Sequence, residues 1–241
     1  MKYFLNKICF WIFFVVILFA FGFVMRVPLS YFVGTERDLT QVKASINSGF
    51  LLAVLGGYGD IVSNIIWLKS YSSWEEKNLE KCVSNMELAL TINPENKMFW
   101  SLASSIITYD SPHWIIEQRG IHDKTEQMRV HKVQATKGVN YLKRALELFP
   151  DNRKLRMELA DIYAYKLGDL DSSIKNYKII VDADETLVFT RRIYADLLAQ
   201  AGRKGEALEV LKSMLENLEE DSEIYKKVTL QVKEIEAFTN K

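Results

Sequence analysis

The chain has 241 residues, with 31 basic and 31 acidic side chains and a formal net charge of zero. That length accommodates one or two domains with a sizeable core, and the even balance excludes the global basic field that draws in nucleic acid. The two cysteines, Cys9 and Cys82, lie far apart in different kinds of segment and offer no disulfide framework.

The first element is the run Ile8 to Met25, "ICFWIFFVVILFAFGFVM", 18 residues without a charge. It is long enough to span a bilayer. No small-x-small cleavage site follows it, so residues 1–26 read as an uncleaved transmembrane anchor, with a cleaved signal as the alternative. Lys2 and Lys7 favour a cytoplasmic N-terminus and an extracytoplasmic remainder, while Arg26 on the far flank weighs against it.

Residues 27–60 form a membrane-proximal linker ending in a glycine-rich entry to a helix. "FLLAVLGGYGDIVSNIIWLKSY", Phe50 to Tyr71, holds Gly56, Gly57 and Gly59 between two apolar stretches. Glycine turns that feed helices can cradle phosphate. Here Asp60 follows Gly59 where a phosphate loop requires lysine and a hydroxyl, and no strand precedes the turn. The glycines read instead as a break, with Asp60 capping the next helix. A second span over Phe50 to Leu68 would carry Asp60, Ser63 and Asn64 in its middle, which is costly; a surface-lying segment is the milder form of that alternative.

From residue 61 onward the pattern is helical and strand-like alternation is absent. A period organises it. Gly168 and Gly202 stand 34 residues apart, as do Ser173 and Ala207, Tyr177 and Leu211, and Ile180 and Met214. The stretches "LRMELADIYAYKLGDLDSSIKNYKIIV" and "RRIYADLLAQAGRKGEALEVLKSML" resemble tetratricopeptide repeats, the first with one extra residue before its turn. Two weaker units precede them, one through Trp67, Tyr71, Trp74, Cys82, Met86 and Ala89, the next from Trp100 and Ala103 to Gly138, Leu142 and Ala145. Pro94 and Pro150 are 56 residues apart, which places an insertion of about two dozen residues near 110–131.

The resemblance implies an all-α chain: an N-terminal transmembrane helix, then a helical-hairpin solenoid of about four units over residues 61–219. Residues 220–241 read as a closing helix whose Ile224, Val228, Ile235 and Phe238 share one face, capped by Asp221 or Ser222. "GGYGDIVSNIIWLKSYSSWEE" with "ITYDSPHW" is similar to uncharacterised bacterial membrane-anchored repeat proteins, which implies a bacterial inner-membrane location and no particular chemistry.

Candidate chemistry is sparse. His113, His122 and His131 lie in or beside the insertion with Asp110, Glu117 and Asp123 nearby, but their nine-residue spacings match no short-range ligand motif. They read as surface histidines on a long loop and helix, and a metal-dependent enzyme is the remote alternative. No catalytic residue, cofactor site or small-molecule substrate is indicated. The resemblance places a binding groove on the inner face of the first helix of each unit: Met98, Ser101 and Ser105, then Lys154, Met157 and Asp161, then Phe189, Arg192 and Asp196. Asp161 and Glu158 stand where carboxylate-binding members carry asparagine and arginine, so the groove suits an extended or helical peptide. Trp114, on the insertion, reads as packing against the array or as a second partner-binding surface. The expectation is a membrane-anchored scaffold that binds a protein or peptide partner in a cell-envelope complex. The alternative is an accessory subunit of a transport or secretion machine.

Overall fold

The computed structural model describes residues 57–183 and 188–237 of the chain. The anchor over residues 8–25 lies outside them, as do most of the linker and Phe238. The described residues form ten α-helices and, among them, no strand. They are α1 (Gly59–Glu75), α2 (Leu79–Ile92), α3 (Lys97–Ser105), α4 (Ser111–Arg119), α5 (Lys124–Leu148), α6 (Arg153–Asp161), α7 (Leu170–Ala183), α8 (Val188–Gln200), α9 (Lys204–Leu215) and α10 (Glu223–Ala237).

Four hairpins follow in order: α1 with α2, α3 with α5, α6 with α7, and α8 with α9. Their second helices repeat one triplet at i, i+4 and i+7: Cys82, Met86, Ala89; Gly138, Leu142, Ala145; Ser173, Tyr177, Ile180; Ala207, Leu211, Met214. All twelve residues are buried. The first of each triplet is small, so the two helices of a hairpin can approach closely there, and the larger residues fill the space one and two turns on. Gly138 is the tightest case. A Cβ there would stand 1.9 Å from Thr108 Oγ1 and 3.1 Å from the Ser104 carbonyl, and Ser104 Oγ donates to the Gly138 carbonyl at 3.0 Å.

Sequence spacing that departs from 34 is absorbed inside helices. The extra residue of the third unit is taken up by a π-helical turn, Ile162–Leu167, that continues α6; one added residue widens a helical turn in this way without breaking the rod. A second π turn, Ile106–Asp110, joins α3 to α4. The insertion is therefore not a long loop. It lengthens both helices of the second hairpin, as α4 and the first part of α5, with Gly120 in the left-handed conformation ending α4 at φ 60°. Side-chain caps start most of the helices: Asn78, Asn96, Asp123, Asn152, Asp169 and Ser222 each accept from a backbone N–H in the first turn.

Two sequence expectations about caps and faces are corrected. Asp60 does not cap α1. Its side chain accepts from Asn93 Nδ2 at 2.8 Å, tying α1 to the end of α2, while Gly57 makes the preceding turn at φ +93°. On α10 the buried face is Val228, Val232 and Ile235, and Ile224 is 42% exposed.

The core is in two blocks. One gathers α2, α3, α5 and the inner side of α6, with Trp67 and Trp74 of α1 packed against it. The other runs from Ala160 of α6 to Ile235 of α10. Residues from opposite faces of α6 enter the two blocks: Leu155 and Leu159 the first, Ala160 the second.

Candidate protein-binding face

The first helices of successive hairpins stand side by side. Ser101 Oγ donates to Glu158 at 2.8 Å, and the Lys166 ammonium lies 4.6 Å from the ring of Tyr109. α10 continues this row, occupying the place of the first helix of a fifth unit. Arg192 Nε donates to Gln231 Oε1 and Gln231 Nε2 donates back to the Arg192 carbonyl, both at 3.1 Å.

Between α8 and α10 lies an open depression of about 410 Å³. Phe189, Arg192, Ile193 and Asp196 line it from α8, and Lys227, Leu230, Gln231 and Glu234 from α10. Phe189 is 67% exposed and Leu230 58%. Two large apolar side chains thus face solvent across from one another, among two cations and two carboxylates. The site can take an apolar side chain and offers both signs of charge beside it.

The six groove residues expected from the sequence divide in two. Phe189, Arg192 and Asp196 come together in this depression. Lys154, Met157 and Asp161 of α6 do not line it. The Lys154 side chain is 80% exposed and pairs with Glu158 at 3.9 Å. Met157 is partly buried against the second core block. Asp161 accepts the Tyr177 hydroxyl at 2.6 Å; burial pushes its carboxyl up, opposed by that hydrogen bond. Reading the C-terminal segment only as a shield overlooks what α10 contributes. The signal is present in the sequence: one further step of 34–35 residues from Arg192 and Asp196 reaches Lys227, Leu230 and Gln231.

Trp114 is corrected as a second surface. It is 7% exposed and meets Trp74 edge to face, with ring centroids 6.4 Å apart. The neighbouring contacts hold α4 on α1: Trp74 Nε1 donates to Asp110 at 2.8 Å, Lys77 pairs with Glu117 at 2.6 Å, and Gln118 Nε2 donates to the Lys77 carbonyl at 2.8 Å. The insertion is a buttress for the first hairpin. Tyr71, expected among the repeat positions, is 52% exposed.

The histidines sit on helices or next to them. His113 and His131 meet edge to face at 5.2 Å between α4 and α5, and His122 lies apart in the turn between these helices. Burial first, then His113 and Lys166, push His131 below the ordinary imidazole range. Among the described residues no three histidine, cysteine or acidic side chains gather as a metal ion requires. Nor is any described helix long and apolar enough to cross a membrane.

What decides the architecture is the fourfold triplet on the second helices, carried by hairpins at the 34-residue spacing. The array is of tetratricopeptide type. Solved structures similar to it include a tetratricopeptide repeat protein of Parabacteroides merdae, 13% identical with a TM-score of 0.48 over 74% of this chain. A thermophilic TPR protein of Thermus thermophilus is 17% identical, with a TM-score of 0.37 over 70% of this chain and 99% of its own. PilW, described as a widely conserved type IV pilus biogenesis factor, is 19% identical, with a TM-score of 0.32 over 73% of this chain and 91% of its own. The chain spans 61% of the length of the Parabacteroides protein. No family model and no curated protein matches the sequence.

Proposed function

We propose that the chain is a membrane-tethered scaffold of the bacterial cell envelope that holds a protein partner in the depression between α8 and α10. The observation that carries the binding half is the pair Phe189 and Leu230, exposed at 67% and 58% within a depression also lined by Arg192, Lys227, Asp196 and Glu234. A folded surface that leaves two large apolar side chains in solvent, surrounded by polar neighbours, is a common form of recognition site. The partner is a peptide segment with one apolar anchor residue and charges of both signs beside it. The tether rests on the uncharged run Ile8 to Met25, and Lys2 and Lys7 before it favour an extracytoplasmic array.

A photo-crosslinking residue placed at Phe189 or Leu230 in native membranes tests the site. The expected outcome is one shared protein adduct from both positions, lost when Lys227→Glu is added. Adducts from a control position in α2 with none from Phe189 or Leu230 would move the binding face elsewhere. A reporter fused after Lys241 tests the topology, and activity of a cytoplasm-only reporter overturns it.

A further inference from the structure

α1 is turned inside out for a helix of such an array. Ser63, Ser70 and Ser73 point inward and are buried, and the hydroxyls of all three donate to carbonyls of their own helix. The large aliphatic side chains point outward. Ile61 is 58% exposed, Ile65 49% and Leu68 66%, with Tyr58 at 53% before them and Tyr71 at 52% after. Positions 58, 61, 65 and 68 recur at three- and four-residue steps, so they form one stripe, about 15 Å long at 1.5 Å per residue. Folding of the array does not explain it, since the stripe contributes nothing to the core.

We propose that this stripe rests in the surface of a lipid bilayer. The inference builds on the tether reading and adds a second, non-spanning contact to it. Three observations choose lipid over other occupants. The apolar character continues upstream in the sequence: from Phe50 to Leu68 the one charge is Asp60, and its carboxylate is hydrogen-bonded sideways to Asn93. Charge returns where the stripe ends, at Lys69, Glu75 and Glu76, as for a helix that enters the interface at its N-terminal end and leaves it further on. The patch is also small. Five side chains, each about half exposed, present on the order of 500 Å², short of the ~800 Å² per partner that a stable protein dimer buries. A bilayer needs no reciprocal patch, and a helix lying in the interface buries its apolar face only ~5–10 Å deep. Tyrosine at both ends of the stripe suits the headgroup level.

The full chain, with Cys9→Ser and a single new cysteine, tests this. Native Cys82 is buried and its thiol is pushed up to about 11 by burial and Asp110, so it stays unlabelled. Environment-sensitive labels at Ile65→Cys, Leu68→Cys and, as a control in α9, Glu209→Cys are compared in vesicles of phosphatidylethanolamine and phosphatidylglycerol. Circular dichroism checks that the fold is kept. The labels at 65 and 68 are expected to shift to the blue and to lose most of their emission to nitroxide-bearing lipid, with the label at 209 unchanged. If the chain floats with the vesicles while the labels at 65 and 68 stay as wet as the control, the lipid contact is wrong and the tether stands. Shielding that ignores the nitroxide lipid and grows with protein concentration assigns the face to a second copy and overturns the proposal. If the chain fails to float, the tether reading falls and this inference with it.

Discussion

The two ends of the array are finished in opposite ways. At the C-terminal end α10 buries Val228, Val232 and Ile235 and turns Lys226, Lys227, Lys233 and Glu236 outward. At the N-terminal end α1 buries serines and turns Ile61, Ile65 and Leu68 outward. Stacked repeats need a polar outer face at each end to remain dispersed in water. α10 meets that need and α1 does not, so water is the natural neighbour of one end only. The contrast also locates the stability of the first hairpin. It lies in the aromatic seam of Trp67 stacked on Phe99 at 4.3 Å and in the buttress of Trp74 with Trp114.

The largest effect should come from removing the polar cap. Ending the chain at Glu220 uncovers the faces that Val228, Val232 and Ile235 cover, and is expected to cost on the order of 5 kcal/mol at ~1.5–3 kcal/mol per buried aliphatic side chain. Urea denaturation measures it; a loss under about 1 kcal/mol, the size of an ordinary surface change, would mean that α10 is an ornament and the contrast between the ends is false. Trp114→Ala should follow, at ~3–5 kcal/mol for an emptied aromatic site. A partner-anchoring tryptophan would instead leave stability alone, so this variant separates the buttress from a binding surface.

Gly138→Ala should cost ~1–3 kcal/mol by overpacking, since the new methyl meets Thr108 and the Ser104 carbonyl. Thermal unfolding unchanged from the native chain would show that α3 and α5 can separate without penalty. At the junction of the two core blocks, Asp161→Asn gives a smaller, pH-dependent effect. The folded carboxyl is raised from 3.8 chiefly by burial, so its favourable contribution is present at pH below 3.8 and is lost as pH rises through the folded value. The variant should therefore gain most over the native chain at neutral pH, with the gain fading in acid; a gain that grows in acid has the sign reversed. Last, Ile61→Ser with Ile65→Ser and Leu68→Ser should shift stability by no more than about 0.5 kcal/mol per site. A large loss from this triple change would place the stripe in the core after all.

The register of the hairpins is readable in the sequence because it depends on residue size at fixed intervals, as in Ser173 and Ala207 or Tyr177 and Leu211. Half of the candidate site is readable for the same reason: Phe189, Arg192 and Asp196 occupy fixed steps of the repeat. Other features carry no such signal. Apolar periodicity identifies a helix but not which side meets the core, so the outward stripe of α1 cannot be told from a buried one. The insertion carries polar residues with no repeat spacing, and nothing local says that it extends two helices or that it brings Trp114 to Trp74, 40 residues away in the chain. The surplus residue near Leu167 is visible as a count, whereas its absorption into a π turn depends on helix packing beyond the sequence window. Asp60 shows competition between local and tertiary partners. It has a capping residue's chemistry, and Asn93 claims its carboxylate.

The division of the core at α6 has a consequence for synthesis on the ribosome. The first block includes Leu155, Leu159 and Ile162, so a nascent chain cannot close it when the second hairpin emerges; it must wait for the start of the third. Until then Leu142 and Ala145 lack part of their cover. Once Ile162 has cleared the exit tunnel the first block is complete, and Ala160 on the same helix is already placed to receive α7. α6 thus serves as both the last piece of one folding step and the template for the next, so translation order and assembly order coincide.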